Sequence, residues 1–157
     1  MYRKLLFAAA LLASSAAVAA PAAKFLSKAA QGDNSEIQLG QLISERGSSA
    51  TVRDFGNTLV SDHRQALAQV ASVAHQMDMR VPKSIMPQAR AERAKLEHLR
   101  GAAFDREVKR YMIHDHQKDI SDFEKQARSG DRRTAGLAQR QLPTLRKHLH
   151  IAESLHG

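Results

Sequence analysis

From residue 22 to the C-terminus, apolar positions recur every three to four residues and rarely alternate, which is the period of helices with one buried face. The first stripe predicts a helix over about 22–46, with Phe25, Ala29, Glu36, Gly40 and Ile43 on one face and Leu26, Ile37 and Leu39 widening it. Gly47-Ser48-Ser49 interrupts it as a short turn, with Gly suited to end one helix and Ser to cap the next. A second helix follows to about Met79, its stripe running through Val52, Leu59, His63, Leu67, Val70 and Ala74. Between Arg80 and Gly101 the period breaks at Pro82 and Pro87, and 88–100 is strongly charged, which predicts a loop and a short, mostly exposed helix. A further helix is predicted over about 102–128, carrying Phe104, Val108, Met112, His116, Ile120, Phe123 and Ala127. Ser129-Gly130-Asp131 forms the next turn, with Asp131 as N-cap of a last helix reaching about Leu155.

Two short turns make two antiparallel hairpins, and a crossover of about twenty residues between them distinguishes a ferritin-like four-helix bundle from an up-and-down one. The expected fold class is therefore all-α: a ferritin-like four-helix bundle with a long crossover that carries a short extra helix. Pro143 stands inside the last helix, where it costs about 3 kcal/mol or kinks the axis five residues before His148. Val52, Leu59, Val60 and His63 recur at the spacings of Leu137, Thr144, Leu145 and His148, a weak signal of hairpin duplication.

Each of the four long stripes contains one metal-capable side chain: Glu36, His63, His116 and His148. Glu36 lies 13 residues before Ser49 and His63 lies 14 after it, so the two stand level within about 2 Å. His116 and His148, counted from Asp131, are level within about 3 Å. Three imidazoles and a carboxylate suit Zn²⁺ first and would accept Cu²⁺, Ni²⁺ or Fe²⁺; four protein ligands close such a site, whereas three leave a position for water. A single histidine on an apolar face is more often a hydrogen-bonded core residue than a ligand. Three on separate helices, level with a glutamate on a buried face, favour metal, because an unpartnered core carboxylate is costly. His114 and His150 fall about 160° around from His116 and His148 and should face outward, while His75 and His98 fit no stripe. Asp62 and Asp115 each precede a proposed ligand and are placed to bond a histidine of a neighbouring helix or to lie on the surface. A di-iron centre needs more carboxylates than this pattern offers. His75, Met77, Met79 and Met86 could bind Cu(I), though methionines at a helix end more often fill core gaps. The chain has no Gly-rich phosphate loop and no recognisable hydrolase serine pattern, and no catalytic residue is assigned.

Composition narrows the setting. The chain has 157 residues, of which 43% are hydrophobic and 4% aromatic, enough for one domain with a sizeable core. Arg3 and Lys4, an apolar run over 5–18 and Ala17-Val18-Ala19 read as a signal peptide over 1–20, leaving a bundle domain over 24–156. The run is too short and Ala-rich for a transmembrane span, and the expected location is the periplasm. Without Arg3 and Lys4 the chain keeps 22 basic against 16 acidic residues. Outside the cytoplasm, nucleic acid is not an expected partner; an anionic envelope surface or a plain solvated basic face fits this charge. With no cysteine, metal must be held by nitrogen and oxygen. The function expected first is divalent-metal binding without catalysis. The alternatives are a metal-dependent hydrolase or oxidoreductase with an open coordination position, and a metal-free structural or stress protein of the envelope.

The ordered motifs Phe25-Leu26-x-x-Ala-Ala-Gln-Gly, Glu36, Leu39-Gly40, Asp62-His63, Gly101-Ala-Ala-Phe-Asp105, Asp115-His116 and Leu142-Pro143-Thr-Leu-x-x-His148 resemble the exported bacterial family catalogued as domain of unknown function 4142. The resemblance spans about residues 24–155 and implies a ferritin-like bundle of the periplasm or cell envelope, with no established reaction. Glu36, His63, His116 and His148 all fall on its motif positions.

Overall fold

The structure is a computed structural model that describes residues 10–128 and 131–156, with side chains from Ala20 onward. Its five helices are α1 (Ala10–Arg46), α2 (Ala50–His75), α3 (Pro87–Glu97), α4 (Gly101–Ala127) and α5 (Arg132–Ser154), and no strand occurs among the described residues. The all-α expectation is met. Residues 1–9 of the expected signal segment lie outside the described residues, and α1 runs unbroken through Pro21 rather than starting near Ala22. None of the described helices is long and apolar enough to cross a membrane.

Helix ends follow from local chemistry. The Ser49 hydroxyl accepts from Val52 N–H at 3.3 Å to start α2, and Asp131 Oδ1 accepts from Thr134 N–H at 2.8 Å to start α5. Pro87 occupies the first turn of α3, where its missing N–H costs nothing. The second helix ends at His75, short of the expected Met79. Asp78 takes a left-handed conformation (φ 54°), and Met79 N–H bonds back to Ala74 C=O at 2.9 Å, closing the end. The crossover helix is also less exposed than its charge suggested, since Ala89, Glu92 and Leu96 are buried against its neighbours. Helix α5 continues through Pro143, whose ring lies on the exposed side.

Helices α1 and α2 pack along their length, as do α4 and α5. Where α1 crosses α2, a Cβ on Gly40 would stand 2.9 Å from Gly56 C=O and one on Gly56 would overlap the Ser44 backbone. That approach sits one turn after Glu36 and two before His63. The hairpins are tied together at the opposite turn by Asp105 of α4, 2% exposed, which accepts from Ser48 N–H (2.9 Å), Ser48 Oγ–H (2.7 Å) and Ser49 N–H (3.0 Å). Burial alone would raise its carboxyl; these bonds hold it below the usual range.

The core is layered. One apolar cluster gathers Leu39, Ile43, Phe55, Leu59, Phe104, Val108 and Met112. The other gathers Leu26, Val70, Val73, Phe123, Leu137, Leu142 and Leu145. Every long helix passes from one cluster to the other, and at that passage α1 carries Asp33 and Glu36, α2 His63, α4 His116 and α5 His148. Fully burying a large apolar side chain contributes about 1.5–3 kcal/mol, so the flanking layers can sustain this polar one between them.

Candidate metal centre

Three of the four expected site residues meet. One nitrogen from each of His63, His116 and His148 lies within 4.8 Å of the others, and all three residues are buried. Ring centroids are 5.1 Å apart for His63 and His148, 5.3 Å for His116 and His148, and 6.1 Å for His63 and His116. Glu36 shares their layer and is 1% exposed, but its oxygens are not part of that group.

Each imidazole is held by its other nitrogen. His63 Nδ1 is 2.9 Å from Asp33 Oδ1, His116 Nδ1 is 3.0 Å from Met112 C=O, and His148 Nε2 is 2.8 Å from Asp62 Oδ2. Met112 C=O and the ionised Asp62 carboxylate are acceptors, which places the ring proton of His116 on Nδ1 and that of His148 on Nε2; a cation held by His63 Nε2 would place its proton likewise on Nδ1, toward Asp33. The lone pairs are then on His63 Nε2, His116 Nε2 and His148 Nδ1. Two of these stand 3.3 Å apart with no proton between them, and His63 Nε2 is buried without a hydrogen-bond partner. Lone pairs turned toward one point are repulsive by themselves and suit a shared cation.

The electrostatics agree. Burial lowers His63 to about 4 and His148 to about 4; burial, with the two neighbouring imidazoles, lowers His116 to about 3. All three are neutral at physiological pH, the form that binds metal. Asp62 also accepts from Lys147 at 2.6 Å, and its carboxyl lies below the usual range despite partial burial. Burial raises Asp33 well above that range. Glu36 is likewise raised well above its ordinary value, first by burial and then by Asp115 and Asp119. A divalent ion on the trio would be balanced by the charge of Asp62 and would favour the ionised form of the buried Asp33, so the donor set fits the metal implied by the sequence.

Asp62 bonds a histidine of a neighbouring helix, one of the two roles open to it in the sequence; Asp115 instead faces Glu36. His75, His98, His114 and His150 are exposed. Met77 and Met79 pack on one apolar cluster and Met86 on the other, filling gaps rather than gathering. Sequence reasoning missed Asp33, although it stands one turn before Glu36 on the same face, and Asp119, one turn after Asp115. A cavity of about 470 Å³ is lined by His63, Asp33, Asp62, Asp115 and Asp119, and so reaches one histidine of the trio.

Fold and site together define a helical bundle with a buried group of three histidines that could hold a metal ion. The family model described as "Domain of unknown function (DUF4142)" matches residues 8–155, nearly the whole chain. The chain belongs to that family. No curated protein and no solved structure matches it.

Proposed function

We propose that this protein is a divalent-metal-binding, ferritin-like four-helix bundle in which His63, His116 and His148 are the ligands and Glu36 is the buried carboxyl group of the same layer. The observation that carries the proposal is the set of three imidazoles, each anchored through one nitrogen so that the free lone pairs face one another. Three neutral nitrogens suit Zn²⁺ first, at about 2.0–2.1 Å, and Cu²⁺, Ni²⁺ or Fe²⁺ after it. The pairing of α1 with α2 and of α4 with α5, joined through α3, supports the ferritin-like arrangement. The proposed setting is the periplasm, supported by the basic start, apolar run and small-residue pattern of residues 1–20.

Metal content of protein purified without chelator, followed by zinc titration, tests the reading. One tightly held ion per chain is expected; protein that neither carries metal nor takes up zinc rejects it. A second reading, metal-dependent hydrolysis, is favoured by the cavity, which runs beside His63 and Asp33, since three protein ligands would leave a fourth position for water. Zinc-dependent turnover of an ester substrate, abolished by His63→Ala, would support it; zinc-loaded protein without such turnover would return the protein to metal binding alone.

A further inference from the structure

Four carboxylates on α1 and α4 act on one another across the bundle: after burial itself, Asp115, Asp119 and Asp33 all raise Glu36. Asp33 and Glu36 are one turn apart on α1, and Asp115 and Asp119 are one turn apart on α4. Asp119 Oδ2 reaches across to within 4.0 Å of where a Cβ on Gly32 would stand, and Glu36 faces Asp115. Both Glu36 oxygens and Asp33 Oδ2 are buried with no hydrogen-bond partner. Among the described residues, neither Glu36 nor Asp115 forms an ion pair, and Asp33 pairs with His63 alone. Lys118 meets only the outer edge, at 3.9 Å from Asp119 and 3.0 Å from Asp122.

We propose that Glu36, Asp115 and Asp119 hold a second cation beside the histidine trio, with Asp33 standing between the two sites. Its Oδ1 orients His63 while its unpartnered Oδ2 is free on the carboxylate side. An all-oxygen donor set takes a hard ion such as Mn²⁺, Mg²⁺ or Ca²⁺, in contrast to the all-nitrogen trio. Among the described residues their oxygens do not form a group as tight as the histidine nitrogens, so a bound ion would draw them together. Asp115 and Asp119 are each only partly buried, and both line the cavity, which gives a hydrated ion its approach.

The inference deepens the metal reading, and its experiment separates the two. Purified protein is saturated with Zn²⁺, freed of excess and titrated with Mn²⁺, with uptake followed by loss of the free Mn²⁺ paramagnetic resonance signal. Zinc uptake reports the trio and manganese uptake the carboxylates, so whichever metal fails identifies the site that fails. One Mn²⁺ per chain is expected. Glu36→Gln and Asp115→Asn, with helicity unchanged by circular dichroism, should each weaken Mn²⁺ about tenfold or more while zinc uptake stays, because oxygen sites follow ligand charge. Wild-type protein that takes up no Mn²⁺, or uptake that neither substitution weakens, overturns the proposal and leaves Glu36 and Asp115 as a pair sharing a proton.

Discussion

Replacing His116 by leucine separates a metal site from a hydrogen-bonded polar core. His116 is 1% exposed and its Nε2 stands 3.3 Å from His148 Nδ1. Leucine has nearly the same volume, so packing should change by less than about 1.5 kcal/mol, and the facing lone pairs are relieved. In the wild type, zinc at a hundredfold its dissociation constant adds about 2.7 kcal/mol of stability by mass action. For a chain of this length, each kcal/mol moves the melting temperature by about 2–4 °C, so a rise of roughly 5–11 °C is expected. In His116→Leu two imidazoles remain, too few for a stable site, and that rise should vanish. The assay is thermal unfolding by circular dichroism with chelator and with zinc, in both proteins. Were the trio a network of hydrogen bonds instead, the substitution would strand His148 Nδ1 at a cost of about 1–3 kcal/mol, and zinc would leave the wild type unmoved. Wild-type melting indifferent to zinc, or a zinc-dependent rise that survives in His116→Leu, would refute the reasoning.

Other consequences are equally direct. Asp62→Asn keeps an acceptor near His148 but removes the charge behind it, so zinc affinity should drop about 10–100-fold with melting of the metal-free protein little changed; competition with a chromophoric chelator measures this. Asp105→Ala removes three bonds that join α4 to the α1–α2 turn and should cost about 2–4 kcal/mol in urea unfolding, without altering zinc stoichiometry. Because the folded histidines are lowered to about 4, about 3 and about 4, the unfolded chain binds more protons between those values and its ordinary value near 6.5. Metal-free stability contributed by the trio is therefore full above about pH 6.5 and falls as pH drops toward 4. The slope of stability with pH over that window should be shallower in His116→Leu; an equal slope in urea titrations would contradict the assignment.

The helices were legible because their apolar positions repeat over more than twenty residues, and the caps at Ser49 and Asp131 were legible because their side chains act locally. Level-counting from the two turns brought His63, His116 and His148 together because a helix rises by a fixed amount per residue. What failed to show was lateral. Rise gives height, not which neighbour a side chain turns toward, so the influence of Asp115 and Asp119 on Glu36 was not visible in the sequence. Asp33 was overlooked because an aspartate between Gly32 and polar Asn34 reads as surface until α2 covers it. The early stop of α2 depends on Asp78 adopting a left-handed backbone, which Gly would have announced and Asp does not.

The most direct test is a crystal of the zinc-loaded protein with anomalous data at the zinc edge. A peak bonded to His63 Nε2, His116 Nε2 and His148 Nδ1 at about 2.0–2.1 Å is expected, with Asp33, Met112 and Asp62 still holding the opposite nitrogens. Density for the trio without a peak, or zinc bound only at exposed histidines such as His114 or His150, would contradict it.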